Sequence, residues 1–207
     1  MFLFIMTTKY ISLDVEASGR VPGIYSLLSI GACVVGEQDK QFYRELKPIS
    51  PNFDIEAMKI GCLGLKCLEL FKNYKDYNPK SETFNPSRVL GALSVYGDRP
   101  KTVMKELNNW TLNVSAGCEP VLLTDVQPFD GSFINWYFEK FLSNSENPFG
   151  YKGLNIDILY RGLTGNINSN LRDLGLIDDR KTPHNALDDA VFQAKLAEKV
   201  FELMKVV

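Results

Sequence analysis

Two carboxylates on one face of an otherwise apolar strand constrain this chain more than any other feature. Residues 9–19 read Lys-Tyr-Ile-Ser-Leu-Asp-Val-Glu-Ala-Ser-Gly, an alternation that predicts a strand. Strand side chains switch faces at every residue, so Asp14 and Glu16 project from the same face. Such neighbours repel each other and lose hydration energy, and a fold keeps them together when a cation neutralises them. The alternative interpretation is a polar strand end that faces water.

The strands that follow predict a mixed α/β fold. Residues 27–35 are a continuous apolar run with small side chains, which is typical of a strand buried on both faces. Residues 36–40 read as a hairpin turn, and residues 42–46 as a third strand. Short turns join these three strands, which indicates an antiparallel meander. A fourth strand is expected over 121–126, and 156–160 is either a fifth strand or a short helix.

Helices are predicted by capping residues and by apolar residues at helical spacing. An aromatic-rich helix is expected directly after Asp130, with its apolar face in the core. The remaining predicted helices span residues 55–60, 66–74, 100–112, 170–174 and 185–204.

Residues 73–100 are the least regular part of a chain that otherwise predicts a single domain over 1–207. This stretch has three prolines and places Tyr74, Tyr77, Phe84 and Tyr96 among lysines and arginines. Aromatic and basic side chains in this arrangement could stack on bases and contact phosphates. The alternative is a solvated loop whose aromatic residues pack locally. The stretch is therefore predicted to be an irregular insertion.

Composition excludes some classes of protein. The formal net charge of −2 gives no overall signal for nucleic acid, although a metal-filled acidic site would mask a mildly basic surface. The four cysteines lack the spacing of a zinc site, so reduced thiols are expected. The apolar run at 2–5 is too short for a signal peptide, and it is either an extension ahead of a start at Met6 or part of the first strand. No apolar run is long enough to span a membrane, so a cytoplasmic protein is expected.

A third carboxylate candidate, Asp130, lies at a strand-to-helix junction. Ends of this kind gather along one rim of a sheet with crossover helices, where ligands bind. The alternative for Asp130 is a helix cap that accepts backbone N–H bonds. Asp125 is the other carboxylate on this segment, and it is the fallback ligand.

The last helix begins beside the only histidine of the chain, His184. Asp189 follows five residues later, about 140° around a helix, so both reach one site only if His184 stands outside the helix. The helix N-terminus favours the Asp189 anion. Asp188 is expected either to cap the N-terminus of the last helix or to hold the ligand side chains in place without binding the ion itself. The alternative for His184 is a structural or simply exposed histidine.

In this order, the three segments resemble the motifs of the DEDDh 3′–5′ exonucleases. The segments are Asp14 to Glu16, Phe129 with Asp130, and His184 followed by Asp189. Residues 54–60 are similar to the family's segment after the third strand, and residues 147–149 with 156–157 to a segment of ribonuclease T. The resemblance implies a ribonuclease H-like fold, a mixed five-stranded sheet flanked by helices. Val126 departs from the family, since many members have Asn there, and 73–100 has no counterpart.

The resemblance also implies an activity. It predicts hydrolysis of terminal phosphodiesters at the 3′ ends of single-stranded RNA or DNA, with release of nucleoside 5′-monophosphates. Two divalent ions, Mg²⁺ or Mn²⁺, would bind to four carboxylates, and His184 would take a proton from the attacking water. A homodimer is left open by the resemblance. The implied metal ligands are Asp14, Glu16, Asp130 and Asp189.

Substrate contacts implied by the resemblance lie near the first motif. The backbone around Val15, Ala17 and Ser18 would meet the terminal sugar. Met58 and Phe133 are candidates for apolar packing against terminal bases, with a place in the core as their alternative. Two other functions compete with the exonuclease. One is a catalytically silent nucleic-acid-binding or polymerase-associated module of the same fold, and the other is a metal-dependent phosphatase or other carboxylate-rich hydrolase on a different fold.

Overall fold

A five-stranded mixed sheet lies at the centre of the described residues, 8–142 and 146–205 of the computed structural model. The strand order is β3-β2-β1-β4-β5. The pairs β1–β2 and β2–β3 are antiparallel, whereas β4 runs parallel to both β1 and β5. This confirms the predicted meander and the mixed α/β class. The strands are β1 (Thr8–Ala17), β2 (Leu27–Val34), β3 (Glu37–Glu45), β4 (Glu119–Thr124) and β5 (Gly153–Asn155).

Most helices begin at a side chain that accepts a backbone N–H bond, as Asp54, Asn85, Asn155 and Asn185 do. Short 3₁₀ turns lie at Lys66–Phe71, Lys75–Tyr77 and Leu171–Leu174. The α-helices are α1 (Ile55–Gly61), α2 (Pro86–Tyr96), α3 (Pro100–Ser115), α4 (Gln127–Phe141), α5 (Ile156–Thr164) and α6 (Ala186–Met204).

The two faces of β1 enter different layers of the structure. Ile11, Leu13 and Val15 belong to the core cluster that also holds apolar residues of α3 and α4. The alternate residues face α6, and Ser12 Oγ donates a hydrogen bond to the Ala190 carbonyl at 2.7 Å. β2 is buried along its whole length, as predicted. The face of β1 that carries Asp14 is therefore the face on which α6 packs.

Several predicted boundaries differ from the observed ones. The hairpin turn is only Val35 and Gly36, because Gly36 adopts a positive φ of 84° and β3 begins at once. Of the two alternatives for 156–160, the helix is correct, since α5 begins at Ile156, and the fifth strand lies just before it. The short helices predicted over 66–74 and 170–174 are 3₁₀ turns.

The irregular character predicted for 73–100 is wrong for its second half, which contains α2. Asn85 caps this helix and Pro86 occupies its first position, where proline needs no N–H partner. Tyr77 stacks on Phe71 with ring centres 4.3 Å apart, and Tyr77 and Phe84 pack against a buried cluster. Local packing therefore accounts for these two aromatic residues. That the stretch is an insertion stays a prediction.

The N-terminal apolar run and the alternative start at Met6 lie outside the described residues. None of the helices in the described ranges combines the length and the apolar composition needed to cross a lipid bilayer.

Candidate active site

Six polar side chains converge at the end of β1, in two groups. In each group the potential ligand atoms lie within 4.8 Å of one another. All six line one cavity of about 890 Å³, called here the acidic cavity. The acids and the histidine of the three motifs thus come together, and Asp125, the fallback candidate, joins them. The groups are Asp14 with Asp125 and Asp130, and Glu16 with His184 and Asp189.

Two glycines let the start of α6 approach the β1 carboxylates. Gly31 is the register partner of Asp14 on β2. A Cβ atom at Gly31 would lie only 2.2 Å from the carbonyl carbon of Ala186, so the first turn of α6 rests directly on β2. A Cβ atom at Gly64 would lie 2.4 Å from Cα of Asn185, whose side chain donates to the Gly64 carbonyl at 2.6 Å. Both positions require the absence of a side chain.

His184 stands just outside α6, as the spacing required. Its φ of 62° is in the left-handed region, and the next residue, Asn185, is the N-cap. Asp189 lies in the first turn of α6, and the imidazole is exposed. The Asp188 carboxylate accepts a bond from the Thr182 N–H at 2.9 Å and lines a second cavity of about 570 Å³ instead.

Asp130 lies inside α4, not ahead of it. The N-cap of α4 is Val126, so the helix-cap alternative for Asp130 is wrong. Oδ1 of Asp130 accepts the Val15 backbone N–H at 3.2 Å. Oδ2 is buried and has no hydrogen-bond partner among the described residues. A buried carboxylate oxygen without a donor is costly unless a cation binds it.

Burial and mutual repulsion disfavour the ionised form of these carboxylates. The pKa of Asp14 is raised well above its ordinary value, first by desolvation and then by Asp130 and Glu16. Desolvation also raises the pKa of Glu16, Asp130 and Asp125. A bound cation would offset the desolvation and repulsion of the ionised carboxylates. Oxygen ligands of this kind suit Mg²⁺ or Mn²⁺. The residues therefore fit divalent ions.

The motifs do not include Arg180, which contacts the site from the segment before His184. Its Nη1 donates to Oδ1 of Asp189 at 2.7 Å. Asp189 has a raised pKa because of desolvation, an effect that Arg180 partly offsets. In the sequence, the only indication of this contact is that basic residues, Arg180 and Lys181, come shortly before His184.

Gln193 is a second residue that the sequence reasoning missed. Its Oε1 accepts the Asp125 backbone N–H at 2.7 Å, and its Nε2 donates to the Leu123 carbonyl at 2.9 Å and to Ser12 Oγ at 2.8 Å. It thus ties the middle of β1 and the end of β4 to α6. It lies four residues after Asp189, on the same face of α6, and this spacing could have predicted that its side chain points toward the site.

The residues predicted to contact substrate are buried. Met58 and Phe133 have no exposed surface and belong to core clusters, which agrees with the core position given as their alternative. The backbone N–H of Ser18 donates to Ser26 and its carbonyl accepts from Asp54, both at 2.8 Å, so the N–H is already used within the protein. That the backbone near Ala17 and Ser18 meets the terminal sugar stays a prediction. Val15 lines the acidic cavity, and Ala17 is buried at the end of β1.

A relative of known activity matches nearly the whole chain. The sequence is 34% identical over 199 residues to the 3′–5′ DNA exonuclease Cap18 of Escherichia coli, which covers 94% of this chain and 92% of the relative. The chain belongs to the DEDDh 3′–5′ exonuclease family. This match confirms the predicted class of activity, a 3′–5′ exonuclease. No family model matches the exonuclease.

Solved structures share the fold of the exonuclease. A zinc-bound complex of E. coli Exonuclease I with single-stranded DNA matches with a TM-score of 0.61 and 13% identity, over 97% of this chain and 42% of that chain. S. pombe Pop2p in its Mg²⁺- and Mn²⁺-bound form matches with a TM-score of 0.53 and 12% identity, over 93% and 82%. The ribonuclease H-like fold is thereby confirmed. The exonuclease spans less than half the length of Exonuclease I.

Proposed function

We propose that the exonuclease removes nucleotides from the 3′ end of single-stranded DNA with two divalent ions and a histidine general base. The observation that carries this proposal is the buried Oδ2 of Asp130, which has no partner among the described residues and sits in a group of three carboxylates. A second group, with an exposed imidazole, faces the same cavity. This pairing suits hydrolysis better than passive binding.

The two groups provide one ion site each. Asp14, Asp125 and Asp130 would hold the first ion, and Glu16 with Asp189 the second. Bound Mg²⁺ or Mn²⁺ would stabilise the negative charge that develops on the phosphate during the reaction. Asp125 is added here to the four ligands that the motifs imply.

His184 is the proton acceptor of the proposed reaction. Its side chain is exposed in the acidic cavity, so water and a DNA end can both reach it. The imidazole takes a proton from the water that attacks the terminal phosphorus. The bond from phosphorus to the 3′ oxygen of the preceding nucleotide breaks, and that oxygen gains a proton. The products are a nucleoside 5′-monophosphate and a shortened strand.

Single-stranded DNA is the proposed substrate. The relative that matches nearly the whole chain is named a DNA exonuclease, and Exonuclease I shares the fold in a complex with single-stranded DNA. The acidic cavity of about 890 Å³ has room for a terminal nucleotide. All three motif segments contribute to this cavity, so we treat the chain as one exonuclease domain.

Matched DNA and RNA oligonucleotides with a 5′ label test this proposal. Incubation with Mg²⁺ or Mn²⁺ should give a ladder that shortens from the 3′ end, faster for DNA, and EDTA should abolish it. Asp14→Asn serves as the inactive control. Binding without shortening would instead identify a catalytically silent module, and release of inorganic phosphate alone would identify a phosphatase.

A further inference from the structure

Arg180 lies in the wall between the acidic cavity and the second cavity, and it lines both. Its Nε and Nη2 donate to the two oxygens of Asp178 at 2.8 and 2.5 Å, while Nη1 donates to Asp189 at 2.7 Å. The guanidinium carbon lies 5.1 Å from the centre of the Phe192 ring. Asp178 therefore anchors the fork, and Nη1 is directed at a proposed metal ligand.

This ion pair uses an oxygen that a divalent ion also needs. The ligand atoms of Asp189, Glu16 and His184 lie within 4.8 Å of one another. An ion held by Glu16 and Asp189 would bring two positive charges within a few ångströms of the guanidinium, which repels it. The pair with Asp178 does not depend on Asp189, so Arg180 can leave Asp189 and stay tethered.

We propose that Arg180 is a displaceable counter-cation and a substrate contact. It neutralises Asp189 in the metal-free exonuclease, yields that oxygen to the ion, and then donates Nη1 to the phosphate of the terminal nucleotide. This inference rests on the proposed function. A phosphate beside the ions would bring anionic oxygens within reach of Nη1 once it has left Asp189, and a planar guanidinium fork suits such oxygens.

Two other arginines of the acidic cavity differ from Arg180. Arg161 pairs with Asp157 at 2.5 Å. Arg172 is exposed and forms no ion pair among the residues that the structure describes. Neither has a hydrogen bond to a proposed metal ligand among the described contacts. Arg172→Gln therefore removes a charge from the same cavity without touching Asp189, and it is the matched control for Arg180→Gln.

Calorimetric titration of the full chain with Mn²⁺ tests the displacement. Arg180→Gln should bind Mn²⁺ about three- to tenfold more tightly than wild type, since the ion no longer competes with the guanidinium. Arg172→Gln should change the affinity by less than about twofold, because an exposed charge is screened. Equal or weaker Mn²⁺ binding by Arg180→Gln would overturn the displacement.

A second titration tests the phosphate contact. At saturating Mg²⁺, Arg180→Gln should bind thymidine 5′-monophosphate about tenfold more weakly, with Arg180→Lys in between. An unchanged nucleotide affinity would overturn this contact. A wild-type chain that binds no Mn²⁺ would overturn the proposed function and this inference together, whereas the other failures leave the proposed function intact.

The wild-type protein gives an independent readout that needs no variant to fold. With ¹⁵N-labelled arginine, saturation with Mg²⁺ should shift the guanidinium resonances of Arg180 more than those of Arg172. Unshifted Arg180 resonances at saturation would overturn the displacement.

Discussion

The backbone N–H of Val15 donates to Oδ1 of Asp130 at 3.2 Å, and this bond joins the first two acidic motifs of the exonuclease. Val15 lies between Asp14 and Glu16, so the first turn of α4 is fixed to the strand that carries both acids. Because the bond uses Oδ1, the buried Oδ2 remains without a donor in the part of the chain that the structure describes. One carboxylate thus positions a helix and leaves an oxygen for an ion.

Asp130→Asn should stabilise the metal-free protein. The amide oxygen keeps the bond from Val15, while the amide nitrogen places a donor beside the carboxylates of Asp14 and Asp125. Satisfying a buried unpaired group is worth about 1–3 kcal/mol, so the melting temperature in EDTA should rise by about 3–10 °C. Calorimetry with and without Mn²⁺ should also show that most of the stabilisation by the ion is lost.

Asp157→Asn is the control for this stability gain. Asp157 lines the same cavity but pairs with Arg161, so its neutralisation removes a favourable contact. This variant should melt at or below the wild-type temperature and keep its response to Mn²⁺. A lower melting temperature of Asp130→Asn in EDTA would show that the unpaired oxygen is not a source of instability.

The stability of the metal-free protein should fall as the pH rises. Burial and repulsion place the pKa of Asp14, Glu16 and Asp130 above their ordinary values in the folded state. The folded protein then binds more protons than the unfolded chain, so unfolding becomes easier with rising pH from near pH 4 through the raised values. Glu37 and Asp178, with pKa values lowered to about 2 by Lys40 and Arg180, titrate below this range.

Urea unfolding at about pH 5.5 and pH 7.5 measures this dependence. In EDTA the free energy of unfolding should be larger at the lower pH. Saturating Mg²⁺ should reduce or reverse the difference, because the ions neutralise the ionised carboxylates. Higher stability at pH 7.5 in EDTA would contradict the argument from burial.

Local sequence was sufficient to predict the sheet order of the first strands and the gathering of the motif acids. Alternation placed Asp14 and Glu16 on one face, and the start of α6 beside His184 followed from the spacing to Asp189. The features that the sequence did not predict depend on packing between segments that are distant in the chain. Nothing near Asp125 indicates that Gln193 will accept its N–H bond. Nothing near Met58, a residue of α1, indicates how completely Leu28 and Val89 bury it.

His184→Asn tests the general base without disturbing the backbone. Asparagine tolerates the left-handed conformation that His184 adopts at φ 62°. The single-turnover rate should fall roughly 10²–10⁴-fold, the range that general acid–base catalysis supplies. His184→Ala should lose a similar factor, and oligonucleotide affinity in EDTA should change little in both variants. A near-wild-type rate of the asparagine variant would refute the assignment.

Asp125→Asn tests the carboxylate that lies outside the three motifs. Its ligand atoms lie within 4.8 Å of those of Asp14 and Asp130, so its neutralisation should weaken Mn²⁺ binding by about tenfold or more. Asp157→Asn again controls for the loss of a charge from the cavity. Unchanged Mn²⁺ affinity of Asp125→Asn, measured by calorimetry, would remove Asp125 from the ligand set.

Gly31→Ala should disturb the site from β2, the strand beside the β1 carboxylates, on the face where α6 packs. The new methyl group would collide with the backbone of Ala186, since a Cβ there lies 2.2 Å from its carbonyl carbon. Overpacking of this kind costs about 1–3 kcal/mol. The start of α6, with His184 and Asp189, must then move away from the β1 carboxylates, and a shift of 1 Å can lower a rate by about 10²-fold.

Gly91→Ala is the matched control, since a Cβ at this helical glycine meets no atom within 4 Å among the described residues, apart from its chain neighbours and the backbone of its own helix. It should stabilise the protein by roughly 0.5–1 kcal/mol and leave the rate unchanged. Thermal unfolding, Mn²⁺ titration and single-turnover rates of both variants separate a local displacement from general destabilisation. A Gly31→Ala variant with wild-type Mn²⁺ affinity and rate would show that the close packing of α6 on β2 does not set the geometry of the site.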